Sequence, residues 1–269
     1  MNNTKLIKSK NNYKTGYNSI TEQGEKYPQM LMDFGILKMN QGQIFEECKP
    51  MEAAYLLLQG KIEIACGSIK QTINRNNCFD DGPFVLHVPQ NTDVKIQSLS
   101  DDTEICISRT TNTTDFDIKL YGPDEVIDEY RGKGTMQETS TRIVRTIFDK
   151  SNAPWSNLVL GEVIGFPGKW SSYPPHHHPQ PEIYYYKLNP ENGFAYAENG
   201  DDVFKIHNND ISLITEGQTH PHVTAPGYAL WYLWVIRHLD DNPYITPIFV
   251  DEHVWVTDPD AKFWPEKNK

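Results

Sequence analysis

From Trp170 to Tyr186 the chain reads WSSYPPHHHPQPEIYYY. On an extended strand alternate side chains share a face, so His176 and His178 point one way and His177 the other. Glu182 follows four residues later. Two imidazoles and a carboxylate make three arms of a divalent metal site. A fourth can come from His220-Pro221-His222, which enters another strand-like run after GQT. A solvated polar loop would explain HHH alone. It does not explain why six of the nine histidines fall between His176 and His222.

The rest of the composition fits a β protein. Tyr, Phe and Trp make 12% of the 269 residues, and Gly and Pro punctuate apolar runs, which favours strands. Length allows one large β domain or two ordinary ones. A net charge of −11 argues against a nucleic-acid surface, which needs a basic face. It leaves room for a local basic pocket. Cys48, Cys66, Cys78 and Cys106 form no C-x-x-C pair and read as reduced thiols. No leader-like apolar segment or membrane-length run is present, so a cytoplasmic protein is expected.

Residues 1–20 read as a polar tail. Residues 21–115 hold strand candidates, among them Leu56-Leu57-Leu58, a turn at Gln59-Gly60, and KIEI. Residues 116–155 read as a connector with shared strands, Arg142 to Phe148 being favoured as strand. Residues 156–269 carry EIYYYKL, a hairpin around NPENGFAYAEN, the long apolar run PGYALWYLWVIRHL, and HVWV as a last short strand. Superposing Glu52-x-x-Tyr55 on Glu182-x-x-Tyr185 places Glu46 and Cys48 where the two histidines stand, with Asp93 for the later one. The first half then reads as a second barrel without metal. The fold class expected is all-β, with two barrels.

H-x-H-x3-E with a His some forty residues on is the cupin pattern. GKWSSYPPHHH, EIYYYKL and TEGQTHPHVTAPGY resemble the 5-deoxy-glucuronate isomerase family of inositol catabolism, as do EYRGKG and Arg142-x-Val144. The related 4-deoxy-5-keto-uronate ketol-isomerases share the two-barrel plan. The resemblance implies a bicupin with one divalent metal, Zn first and Mn, Fe or Ni next, held by His176, His178, Glu182 and His220. His222 is the reserve for the fourth place. It also implies a small deoxy-sugar or uronate substrate, no nucleic acid or membrane partner, and room for a homo-oligomer.

Aldose–ketose isomerisation moves a proton between adjacent carbons, and a Lewis acid offsets the charge that appears on oxygen. Base candidates are His222, Glu216 and His207. Tyr184 and Tyr186 share the face of Glu182 and could donate to substrate. A substrate carboxylate wants an arginine fork or a lysine, with Arg142, Arg145 and Lys169 as candidates. The chain departs from the family pattern in three places. Only Pro179-Gln180-Pro181 separates the H-x-H from the Glu, GFAYAEN has no Arg, and Trp234 stands beside Tyr232 where Asn is usual. A pocket altered toward poorer turnover of 5-deoxy-glucuronate is expected. An iron-dependent cupin dioxygenase and a non-catalytic sugar-acid binder are the rival readings.

Overall fold

The computed structural model of the chain describes residues 4–9 and 13–265. It is built from antiparallel strands whose side chains alternate between two buried faces. Strands between residues 16 and 121 form one strongly curled nine-stranded sheet. Strands from 129 to 237, joined by Leu6–Ile7, form a seven-stranded sheet and a four-stranded one. The last two close on a shared core of Tyr184, Tyr186, Leu230 and Tyr232 from one and Ala195, Ala197 and Ile206 from the other.

Three cores follow from the alternation. One fills the N-terminal barrel, around Leu37, Tyr55, Leu57 and Ile107. One fills the C-terminal barrel. The third joins the two, with Ile36, Leu56 and Cys106 packed in one cluster with Leu160, Ile183, Tyr185 and Leu233. The central strand Glu182–Asn189 is therefore buried on both faces, which is why EIYYYKL reads as a near-continuous apolar run. It pairs with Ile211–Ile214 on one side and Ala229–Arg237 on the other.

The turn expected at Gln59-Gly60 is a bend inside one strand, Glu52–Cys66. Its first part pairs with Phe84–Val88 and Thr103–Thr110, its second with Ile69–Arg75 and Val94–Ser98. Gly60 sits at φ 111°, and a Cβ there would lie 2.4 Å from Thr103 Oγ1. Only glycine turns this corner without a clash.

Three other expectations change. The stretch 1–20 is not simply a tail: Leu6–Ile7 extends the seven-stranded sheet beside Ile211–Ile214, and Gly16–Thr21 lies in the other sheet. Lys5 Nζ adds a 2.7 Å ion pair to Asp202. An open sheet edge attracts such a strand. Residues 1–3 and 10–12 lie outside the described residues. HVWV is not a strand; Asp251–Val254 is a helical turn continued by Trp255–Thr257, with Asp251 and Glu252 at the end that favours negative charge. The Glu52–Glu182 superposition fails by one residue. Glu52 belongs to the face that also carries Ala54 and Leu56, toward the other barrel, where His87 Nε2 meets its carboxylate at 2.7 Å and Asn112 Nδ2 donates at 2.7 Å. The neighbour facing the N-terminal barrel interior is Ala53.

Charges also cross between the barrels. Arg75 donates to both oxygens of Glu162, at 2.8 and 2.9 Å, and Arg145 to one of them at 2.8 Å. Arg75 and Glu162 are fully buried. Such a group owes its stability to being complete, since removing one member leaves charge unpaired in low dielectric. Glu162→Ala should therefore lower unfolding free energy by about 3–5 kcal/mol in denaturant melts. A loss below about 1 kcal/mol would show that the cluster is not holding the barrels together.

Candidate metal centre

His178, Glu182 and His220 converge inside the C-terminal barrel, each offering a donor atom within 4.8 Å of the other two. His178 follows the two-residue strand His176–His177, which pairs with Ile248–Phe249. Glu182 opens the central strand. His220 follows the turn that leaves Ile211–Ile214. All three are almost fully buried.

The imidazoles are oriented by the backbone. Nδ1 of His178 lies 3.0 Å from the carbonyl of Gln180, Nδ1 of His220 2.8 Å from that of Gln218, and Nδ1 of His176 3.3 Å from that of Pro174. A carbonyl only accepts, so each Nδ1 carries a proton, and in the neutral ring Nε2 is left as the lone pair a metal would take. Burial pushes the His220 pKa down, and pushes that of His176 down to about 2 with help from His220 and His178. The rings of His176 and His220 are therefore held neutral, the form that binds metals.

Nε2 of His178 and of His220 both face Oε2 of Glu182, at 3.1 and 3.4 Å. Lone pairs facing a carboxylate repel unless a cation stands between them. Nε2 of His220 is buried with no hydrogen-bond partner. Donor atoms about 2.0–2.1 Å from a shared tetrahedral centre stand about 3.3 Å apart, close to both distances. The group fits a divalent cation. His176 stands beside the three, its ring edge-on to His220 with centroids 4.9 Å apart.

Around this group lies a cavity of about 70 Å³, lined by Arg142, Ser172, His176, His178, Glu182, Tyr184, Tyr232, Trp234 and Tyr244 among others. Tyr184, Tyr232 and Trp234 thus reach it as the strand faces require. Trp234 lies across Gly161, its cross-strand partner, where a Cβ would come within 2.3 Å of the indole. Burial pushes the phenols of Tyr184 and Tyr232 up, so both remain protonated donors.

Other candidates are elsewhere. Tyr186 and His222 form a layer beneath the cavity, with the hydroxyl of Tyr186 2.7 Å from Nε2 of His222 and the His222 ring stacked on Tyr232. That bond occupies the atom a ligand would use. Glu216 is exposed in a left-handed turn, at φ 59°. His207 is exposed beyond the strand Asp202–Ile206. Lys169 points over Phe166 and does not line the cavity. Arg145 faces the other barrel, tied to Asp128 and Glu162. Arg142, three residues earlier on the same strand, faces the cavity.

No pattern in the sequence marks Tyr244. It belongs to the turn-rich stretch after the last long strand, where no spacing marks a contact, yet its ring packs on His178 with centroids 4.8 Å apart. Arg131 and Ser172 also line the cavity. Both lie in segments marked by the family resemblance, EYRGKG and WSSYPP: Arg131 ends an exposed strand beside Arg142, and Ser172 follows the strand Trp170–Ser171 at φ 53°, so no strand alternation marks either contact.

The N-terminal barrel is different. Glu46 is exposed and paired with Lys95 at 2.6 Å. Cys48 and Asp93 are exposed as well. Inside, Arg109 makes a forked pair with Glu47, both Nη2 contacts lying at 2.6–2.7 Å.

The chain resembles known proteins in sequence and in fold. A 5-deoxy-glucuronate isomerase of Geobacillus kaustophilus is 31% identical over 223 residues, covering 76% of this chain and 78% of its own. That of Geobacillus thermodenitrificans is 31% identical over 241 residues, covering 79% and 85%. An IolB-like protein of Salmonella typhimurium superposes with a TM-score of 0.83 at 22% identity, over 94% of this chain and 99% of that one. An oxalate decarboxylase of Lactobacillus farciminis superposes at 0.68 and 11%, over 94% and 90%. These structural neighbours share the cupin fold. With the KduI/IolB family model matching residues 5–256, the chain belongs to the KduI/IolB family.

Proposed function

We propose that the chain is a metal-dependent aldose–ketose isomerase acting on 5-deoxy-glucuronate or a close deoxy-sugar acid, in inositol catabolism and in the cytoplasm. The observation that carries it is the His178–Glu182–His220 group, with lone pairs aimed at one carboxylate oxygen in a barrel whose relatives are named 5-deoxy-glucuronate isomerases. His176 is the fourth ligand in this reading. Three imidazoles and one carboxylate suit Zn, and also Mn, Fe or Ni. Four unpaired cysteines, three of them buried, suit a reducing compartment.

When bound, the cation supplies Lewis acidity toward substrate oxygens. The chain supplies the rest. Glu182 turns Oε2 to the imidazoles, while Oε1 makes no hydrogen bond among the described residues; in this reading Oε1 carries the proton between neighbouring carbons. Tyr184 and Tyr232 present neutral hydroxyls to substrate oxygens, with Ser171 holding Tyr232 at 2.6 Å. Tyr244 and Phe249 cover the histidines from outside the barrel and shield the chemistry from water. The cavity is about 70 Å³, roughly two waters at liquid density, so a six-carbon acid also occupies the opening beside Tyr244.

Metal-loaded protein incubated with 5-deoxy-glucuronate should lose the aldehyde signal in NMR and lose that activity to a chelator. No turnover by the loaded protein would sink the reading. By mass spectrometry of bound metal, wild type and His222→Ala should hold about one divalent ion per chain and His220→Ala far less. Equal retention by the two variants would move the site. Trp234→Asn should raise kcat/KM on 5-deoxy-glucuronate about tenfold, the worth of one regained hydrogen bond with about 1.4 kcal/mol. A fall would mean the indole is part of the working pocket rather than an obstruction.

A further inference from the structure

We propose that Arg142 is the carboxylate-recognising residue of this cavity, and that it makes the site select a sugar acid over the matching uncharged sugar. The inference rests on the reading of the cavity as a sugar site and adds to it the group that recognises the charge.

The chain has six arginines. Five have an acidic partner: Arg75 with Glu162, Arg109 with Glu47, Arg131 with Glu129, Arg145 with Asp128 and Glu162, and Arg237 with Asp240. Arg142 has none among the described residues. It is 9% exposed. Nη1 donates to the carbonyl and hydroxyl of Ser140, at 2.8 and 2.9 Å. Nε and Nη2 find no partner among the described residues. Every other buried guanidinium of this protein is neutralised, and leaving one without an anion is costly. The cost is understandable where the anion arrives with a ligand.

The placement agrees. Arg142 opens the strand Arg142–Phe148 and lines the cavity with His176, His178, Glu182 and Tyr184. Its bonds to Ser140 hold one side of the planar group, leaving the other edge for a two-point contact with a carboxylate. Arg131 is its direct cross-strand neighbour and lines the same cavity. Like charges directly opposite each other destabilise a sheet, and an anion between them reverses that. Glu182 does not serve as that anion: among the described residues it makes no ion pair with Arg142 or Arg131, and its Oε2 is turned to two imidazoles. A cation there with a guanidinium beyond suits a ligand with a carbonyl end and a carboxylate end.

The test uses the metal-loaded protein and reads binding as well as turnover. D-Glucuronate and its uncharged amide, D-glucuronamide, are titrated calorimetrically into wild type, Arg142→Met and Arg142→Lys. Turnover is measured on 5-deoxy-glucuronate. Wild type should bind the acid at least about tenfold tighter than the amide, as expected for a lost charge-assisted pair. Arg142→Met should bring that ratio near one and lower the melting temperature less than Arg145→Met does, since it removes two hydrogen bonds to Ser140 but no ion pair. Arg142→Lys should fall between. A wild-type ratio near one, or a ratio that Arg142→Met leaves intact, overturns the proposal. So does a melting temperature lowered as much as in Arg145→Met, which would mark Arg142 as structural. Selective acid binding through Arg142 in a protein with no turnover would keep the anchor and overturn the isomerase reading. Turnover with selectivity indifferent to Arg142 would do the reverse.

Discussion

The period of two along Glu182–Asn189 is the constraint on which the rest depends. A strand buried on both faces must satisfy two environments with alternate residues. Glu182, Tyr184 and Tyr186 turn into the barrel, while Ile183 and Tyr185 turn into the core shared with the other half. Slipping the register by one residue would carry the carboxylate out of the barrel and bring isoleucine to the imidazoles. Tyr185 pins the register from the far side, its hydroxyl donating to Glu104 of the other sheet at 2.6 Å. The core that joins the barrels thus also aims the site.

Buried charge follows one rule with an informative exception. Glu104 receives Lys38 and Lys187, Glu162 receives two arginines, and Glu52 receives His87 and Asn112. Proximity to both lysines holds the Glu104 carboxyl down at about 2 against its burial. Lys187 on Glu104, Arg75 on Glu162 and Ser156 on Glu52 tie one half of the chain to the other. Within the C-terminal barrel the rule is broken at Oε2 of Glu182, which faces two lone pairs, and at Arg142, which faces no acid. Both breaks lie on one cavity, as expected where a site gives up local stability for what it binds.

The fold and the ligand group were legible because they rest on short-range periodicity. H-x-H-x3-E needs only strand geometry to place its side chains, and the apolar runs announce their own burial. His220 could be told from His222 only by their partners: one has a free Nε2, the other gives its Nε2 to Tyr186. Arg142 and Arg145 lie three apart, so alternation separates their faces, but which face looks inward depends on pairing with Glu129–Arg131 and Leu158–Gly165. Tyr244 was not legible, since its contact closes through the loop rather than along a strand. The failed superposition of Glu52 on Glu182 shows the limit of matching residue types. A shift of one position keeps the letters alike and reverses the face.

The central claim is that one cation is held by imidazoles oriented through their Nδ1 atoms around Glu182. Cobalt(II) titrated into metal-free protein, followed by visible absorption, tests it most directly. The account predicts ligand-field bands that saturate at one equivalent and are lost in Glu182→Ala. Bands that persist in Glu182→Ala, or that grow to a second equivalent, would place the cation elsewhere in the chain and contradict it.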